Sequence, residues 1–328
     1  MELPVLEVGY QARLTAPQAD DVLVSASVGP SGEAMAVWTA PDDAPAVRPL
    51  ADGPTGGRGG GVGFAGSRAL WPVRARVAAY DPALFSVIQV SRLRLARPTV
   101  QPLPGGAVLL VGARCQWRAD GADPNAVIYS ANGKKVAEAV LGDGIEHVMT
   151  DTSGHVWVGY FDEGIAGSNG WGGDGAEPIG RCGLARLTPE LKTIWRFRDD
   201  KVPFGEITDC YALNIDGESA WTSYYTNFPV VHVNGGAVEG WRNDVVGARA
   251  IAVAGARIAL FSGYGANRDR LAIGVLRGGY FRVTCEYRLT LPDGEPLPPQ
   301  VRVIGQGPTL HFFIGANWYQ LTITDVPL

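Results

Sequence analysis

The sequence predicts an all-β chain assembled from one repeated sheet motif. Three observations carry that reading. First, 44 Gly and 23 Pro among 328 residues interrupt the chain at short intervals, as hairpin-linked strands require. Second, nine Trp and 11 Tyr beside only three Met favour strands over helices. The nearest helical candidate, residues 83–90, is β-branched and too short for three turns. Third, a short fragment recurs: a large apolar residue, a variable residue, a small residue, then Tyr or Ala.

In chain order the copies begin with Val37-Trp38-Thr39-Ala40 and Leu110-Val111-Gly112-Ala113. Trp157-Val158-Gly159-Tyr160 and Trp221-Thr222-Ser223-Tyr224 are the strongest, followed by Phe261-Ser262-Gly263-Tyr264 and the weaker Phe313-Ile314-Gly315-Ala316. Before the better copies stands an apolar strand with a tight turn. These are residues 145–150 with Asp151-Thr152-Ser153-Gly154, 207–213 with Asp216-Gly217, and 250–253 with Ala254-Gly255. After them come a loop and another strand, at 183–187, 230–233 and 271–276. Strand, turn, aromatic strand, loop, strand is a meander.

A meander with two apolar faces buries both only by stacking on a like sheet at each side, which drives radial repetition. The large residue of each copy packs between sheets, and the small one permits their close approach. The expected fold is a six-bladed β-propeller forming a single domain, 1–328, closed by residues 5–14 pairing with the last blade. A seven-bladed alternative makes 72–90 a blade of its own. Six copies in 328 residues average about 55 each, longer than the roughly 40–50 of compact propeller repeats. The excess lies in loops, above all 41–70 and 162–181. The glycine-rich stretch 53–63 lacks a following Lys-Ser/Thr and a strand-to-helix setting, so it reads as a loop of the first blade and not as a phosphate cradle.

The segment from Gly144 to Gly159 carries a D-x-x-G-x-x-W-x-G core at Asp151, Gly154, Trp157 and Gly159. It resembles the blade repeat of the two-component-regulator propeller family and the blades of the virginiamycin B lyase-like group. The resemblance is close in that one blade, partial over 207–224 and faint elsewhere. It implies a propeller fold. It transfers no activity, because such blades occur on sensors and enzymes alike, and no residues match the lyase group's catalytic His and Glu.

Composition excludes several classes. A net charge of −5 and an isoelectric point near 5.5 argue against nucleic-acid binding, which needs a basic face. No stretch of about 18 apolar residues suggests a membrane span, and Met1-Glu2-Leu3-Pro4 has neither a basic nor an apolar leader segment, so a cytoplasmic location is expected. Cys115, Cys182, Cys210 and Cys285 form no CxxC pair and read as thiols.

In a propeller the first strand of each blade lines the central channel, and the loops after the second strands gather on one face. That face collects Asp162 and Glu163 after Tyr160, Thr226-Asn227-Phe228 after Tyr225, and Asn267-Arg268-Asp269 after Tyr264, with residues 114–125 from the second blade and Asn317-Trp318 from the last. The starts of the inner strands add Glu146 with His147, Thr208 with Asp209, Arg249 and Arg302. Aligning Trp157 with Trp221 sets His147 opposite Asp209 in adjacent blades. Charged residues on strands that ought to be apolar need a partner, an ion or water. His147, Asp209 and Glu163 are therefore the catalytic candidates. Glu146, Asp162, Arg249 and Arg302 are ligand-binding candidates at the channel. Trp171 and Arg181, in a loop with seven glycines, are candidates for a pocket wall. Tyr211, Tyr224 and Tyr225 complete the set, with neighbours Tyr224 and Tyr225 facing opposite ways.

No metal or cofactor is read. Asp162, Glu163 and Asp174 are ligands of the kind a hard cation takes, but the loop lacks the D-x-[DN]-x-[DN] order. The four histidines are dispersed, and no G-x-S-x-G elbow occurs. Two functions fit: a module binding a small molecule or protein at the loop face, or an enzyme of lyase, hydrolase or isomerase type using the acids and His147.

Overall fold

The computed structural model describes residues 3–48, 67–198 and 204–327; the glycine-rich stretch 53–63 lies outside them. The fold is an all-β propeller architecture of successive antiparallel meanders. Val22–Val28, Ala34–Thr39, Arg68–Asp81 and Ala83–Leu95 form the first. Residues 72–90 are thus the outer hairpin of that sheet. Thr99–Leu103, Ala107–Val111, Ala126–Tyr129 and Lys135–Ala139 form the second. The third comprises Ile145–Thr150, Val156–Tyr160, Leu184–Leu187 and Thr193–Arg196. Asp209–Asp216, Ser219–Tyr225, Val230–Asn234 and Ala237–Trp241 make the fourth. Ala250–Ala254, Arg257–Phe261, Arg270–Arg277 and Tyr280–Thr290 make the fifth. Arg302–Gln306, Thr309–Ile314 and Asn317–Thr322 begin the last.

Every copy of the repeated fragment sits at the C-terminal end of a second strand. The N-terminal segment, expected as one strand, is two. Gly9–Arg13 pairs antiparallel with Asn317–Thr322 and supplies the fourth strand of the last meander. Val5–Glu7 pairs parallel with Tyr280–Thr290 of the fifth. The chain crosses between sheets at Val8, whose side chain is buried and whose N–H donates to the Thr290 carbonyl at 2.9 Å.

The Asp-Thr-Ser-Gly turn of the third meander has a physical cause. Buried Asp151 accepts the backbone N–H groups of Ser153 at 3.0 Å and His155 at 2.9 Å, so one carboxylate oxygen closes the hairpin. Its other oxygen receives Arg186 at 2.6 Å and the Trp157 indole at 3.4 Å. Arg186 in turn lies 5.2 Å over the Trp157 ring. Gly159 explains the small residue of the repeat. A Cβ there would stand 2.8 Å from Cys210 Sγ, a contact no real Cβ makes, so only glycine lets the fourth meander approach.

The first strand of each meander lies beside that of the next, and Arg302–Gln306 lies beside Val22–Val28. These strands have no ladder partner along most of their inner edge, so their buried carbonyls need other donors. Side chains of adjacent meanders supply them. Ser27 donates to the Val100 carbonyl, and Gln101 Nε2 to that of Val28 at 3.0 Å. Gln101 Oε1 accepts the Thr150 N–H at 2.9 Å. Asn214 Nδ2 donates to Ile251 O at 2.7 Å and Gly307 O at 3.0 Å. Gln306 Nε2 donates to Ile215 O at 2.9 Å, alongside a short parallel pairing of Asn214 and Ile215 with Gly305 and Gln306.

Replacing Asp151 by Ala leaves half-buried Arg186 with only the more distant Glu218 carboxylate at 3.8 Å, and the turn amides unpaired. We expect a loss of about 3 kcal/mol or more in urea unfolding. A loss under about 1 kcal/mol contradicts the role given to the turn.

Candidate functional site

The strands that converge on the axis begin with charged residues, and a cavity of about 640 Å³ opens where they do. Its lining includes Glu146 and His147 from the third meander, Arg249 and Tyr264 from the fifth, Arg268, and Arg302 from the last. Pro298 and Pro299 wall one side. Below, the channel narrows to about 20 Å³ between His147, Met149, Leu213, Arg302 and Gln101.

His147 is held by the same device as the rest of the inner edge. Its Nε2 lies 3.1 Å from Cys210 O and 3.2 Å from Tyr211 O. Carbonyls only accept, so Nε2 carries the proton and the lone pair stays on Nδ1. Burial lowers the imidazole pKa, outweighing the nearby Glu146 carboxylate, and the ring is neutral at pH 7. The expected facing of His147 and Asp209 is met to within a residue or two, His147 resting on the backbone next to Asp209.

Asp209 pairs with Tyr225 across its hairpin. It is outside the cavity lining but within electrostatic reach of it. Burial first, then the charges of Asp162 and Glu146, push its carboxyl up to about 6, against the opposing pull of Arg249. The Arg249 guanidinium lies 5.8 Å over the Tyr211 ring. Tyr211 accepts a hydrogen bond from the Tyr264 hydroxyl at 2.7 Å and meets Phe228 edge-on at 5.1 Å. Exposed Tyr225 meets the same Phe228 at 5.7 Å, so an aromatic cluster rims this side of the mouth.

Other expected residues lie elsewhere. The Glu163 carboxylate is taken by Arg114 at 2.6 Å, and Arg114 also pairs with buried Asp143 at 3.0 Å, so Glu163 ties the 162–181 loop to the second meander. That loop opens with a short helix, Asp162–Ala166, in which the Glu163 N–H donates to Asp162 Oδ1 at 2.8 Å. Trp171 is buried against Trp117, ring centroids 5.2 Å apart, and donates to Cys115 O at 2.8 Å. It anchors the loop and lines no cavity described above. Arg181 is exposed and pairs with Glu177 at 3.5 Å. Tyr224 faces inward, as its neighbour's exposure requires, and its hydroxyl donates to Gly205 O at 3.2 Å. Tyr264, which closes a copy of the repeat, and Arg268, on the loop face just after it, also line the cavity. Among the described residues, no group of three or more His, Cys, Asp or Glu is arranged to hold a metal ion, and no helix is long and apolar enough to cross a membrane.

No family model matches the chain, and no curated protein matches it in sequence. Solved structures similar in fold include a catalytically inactive virginiamycin B lyase from Staphylococcus aureus with quinupristin. It is 10% identical with a TM-score of 0.46, covering 95% of this chain and 98% of that one. XC5397 from Xanthomonas campestris, described as a gluconolactonase, is 10% identical with a TM-score of 0.43 and the same coverage. Kluyvelomyces marxianus Hsv2 is 7% identical with a TM-score of 0.49, covering 92% and 77%.

Because Asp209 binds its proton more tightly in the folded chain, the stability this provides is complete below pH about 4 and is lost as the pH rises through about 6. The stability difference between wild type and Asp209→Asn is therefore expected to fall between pH 4 and 6 and to level off above 7. Thermal unfolding across that range checks it; a flat difference contradicts the raised carboxyl.

Proposed function

We propose that this chain is a single-domain, six-bladed β-propeller that binds a small molecule at the channel mouth. The cyclic adjacency of the first strands supports the blade count. Pairing of Gly9–Arg13 with Asn317–Thr322 supports closure by the N-terminal segment, with Val5–Glu7 fastening the neighbouring blade as well. One observation carries the binding reading. The 640 Å³ cavity has the volume of a small-molecule pocket, and Arg249 and Arg302 reach it from adjacent blades without an ion pair among the described residues. A rigid ring with polar groups aimed into a concave mouth is suited to recognition. Tyr264 and Tyr211 add an aromatic wall that a planar or sugar-like ligand can lie against.

A cytoplasmic setting accords with four free cysteines. The net charge of −5 gives no reason to propose nucleic acid or a membrane as partner.

The carboxyl of Asp209, pushed up to about 6, favours a second reading. A group titrating there serves as general base above that pH, in a lyase, hydrolase or isomerase reaction, with neutral His147 polarising or positioning the substrate. Under that reading turnover rises through pH about 6 and is lost in Asp209→Asn.

The test is a thermal-shift screen of small metabolites with wild type, Arg249→Ala and Tyr264→Ala. A ligand is expected whose stabilisation falls at least about tenfold in affinity in either variant, while each unliganded Tm stays within about 3 °C. Ligand stabilisation untouched by both substitutions rules out this mouth as the site.

A further inference from the structure

We propose that the face opposite the channel mouth carries a second site, for a neutral polyhydroxylated molecule such as a sugar, built on Gln306, His311, Asp81 and Asp216. It goes beyond the mouth site and does not depend on it.

A cavity of about 390 Å³ opens among the hairpin turns that join first to second strands in the first, fourth and last meanders, at residues 30–32, 216–217 and 307–308. Its size is that of a small-molecule pocket. Arg302 starts the last inner strand at the mouth, and Gln306 ends that strand here. Antiparallel register sets Ile304 opposite His311 and Gln306 opposite Thr309. Strand alternation therefore brings Gln306 and His311 to one face of the sheet. Both side chains are more than nine-tenths buried, and both line the cavity.

Each carries one polar atom without a hydrogen-bond partner among the described residues. Gln306 Nε2 donates to Ile215 O at 2.9 Å and Pro30 O at 3.2 Å, which leaves Oε1 as an orphan acceptor. His311 Nδ1 accepts the Trp318 indole N–H at 3.2 Å and lies 3.3 Å from Gln320 Nε2. An indole nitrogen only donates, so the proton of the neutral ring is on Nε2. Burial lowers the imidazole pKa to about 3, so the ring is neutral at pH 7 and its Nε2–H is an orphan donor.

An orphan donor and an orphan acceptor in one cavity call for a partner that both accepts and donates. A hydroxyl does both, whereas an ammonium only donates and an ionised phosphate or carboxylate only accepts. The outer part of the cavity selects in the same direction. Exposed Asp81 and Asp216 line it, and no Lys or Arg does so among the described residues. Two carboxylates repel an anionic ligand and accept from further hydroxyls. The amides of Gln11 and Gln320 add both donors and acceptors to the wall.

Isothermal titration of the full chain with glucose, trehalose and myo-inositol tests the assignment, with putrescine and pyrophosphate as cationic and anionic comparators. At least one of the three neutral compounds is expected to bind with a Kd below about 5 mM. Asp81→Ala and Asp216→Ala, made separately at exposed turn positions, are each expected to weaken it about fivefold or more with an unchanged Tm. Asp293→Ala, a turn carboxylate outside the cavity lining, leaves it unchanged. His311→Phe removes the orphan N–H and is expected to weaken binding about tenfold; should that variant fail to fold, the aspartate variants decide alone. A crystal structure with the bound compound is expected to place a hydroxyl oxygen about 3 Å from His311 Nε2 or Gln306 Oε1. No binding of the three up to about 50 mM overturns the proposal, as does a cavity that holds ordered water only at that concentration. Binding that survives either aspartate substitution unchanged, or putrescine or pyrophosphate binding there in place of the neutral compounds, also overturns it.

Discussion

The inner edge of each first strand is the constraint on which the architecture depends. A strand at the axis of a radial stack has a ladder partner on one side only, yet its other edge is largely shut away from bulk water. An unpaired buried carbonyl costs about 1–3 kcal/mol. The chain meets this cost with side chains instead of strands. Ser27, Gln101, His147, Asn214 and Gln306 each donate to a carbonyl of another meander. These bonds are directional, so they fix the angle and height of one sheet against another in a way that apolar packing alone does not.

The same polar axis frames the candidate site. Once the inner strands must carry hydrogen-bonding side chains toward the centre, charged residues at their starts are a small further step. Glu146, Asp209, Arg249 and Arg302 stand near the mouth, where solvent access lowers their cost, while the uncharged Gln101 lines the narrower part and Asn214 is fully buried. His147 belongs to both sets. Its Nε2 staples the third meander to the fourth, and its lone pair stays on Nδ1. Replacing it therefore disturbs structure as well as any reaction, which makes Asp209 and Arg249 cleaner probes of function.

Much of the fold was legible because the repeat encodes local causes. Asp151 closes its own hairpin and holds Trp157, and Gly159 is small because Cys210 lies against it; both act within or next to one blade. The pairing of Tyr224 inward and Tyr225 outward follows from strand alternation alone. What stayed hidden depends on contacts between distant segments. Glu163 looked like a channel acid because it follows a second strand, but its carboxylate is taken by Arg114, about fifty residues away in sequence. Trp171 sat in a glycine-rich loop and read as a pocket wall, whereas Trp117 and Cys115 bury it. The N-terminal segment read as one strand because its apolar pattern gives no sign of the change of partner at Val8.

Asn214 offers the most direct measurement of the inter-blade hydrogen bonds. It is fully buried and donates to carbonyls of both the fifth and the last blades. Asn214→Leu keeps its shape and removes its donors, leaving Ile251 O and Gly307 O short of one partner each. Equilibrium urea unfolding is predicted to show a loss of about 2–4 kcal/mol with an unchanged m-value. A variant as stable as wild type, or more so, would mean that apolar packing sets the sheets and that the polar axis is incidental.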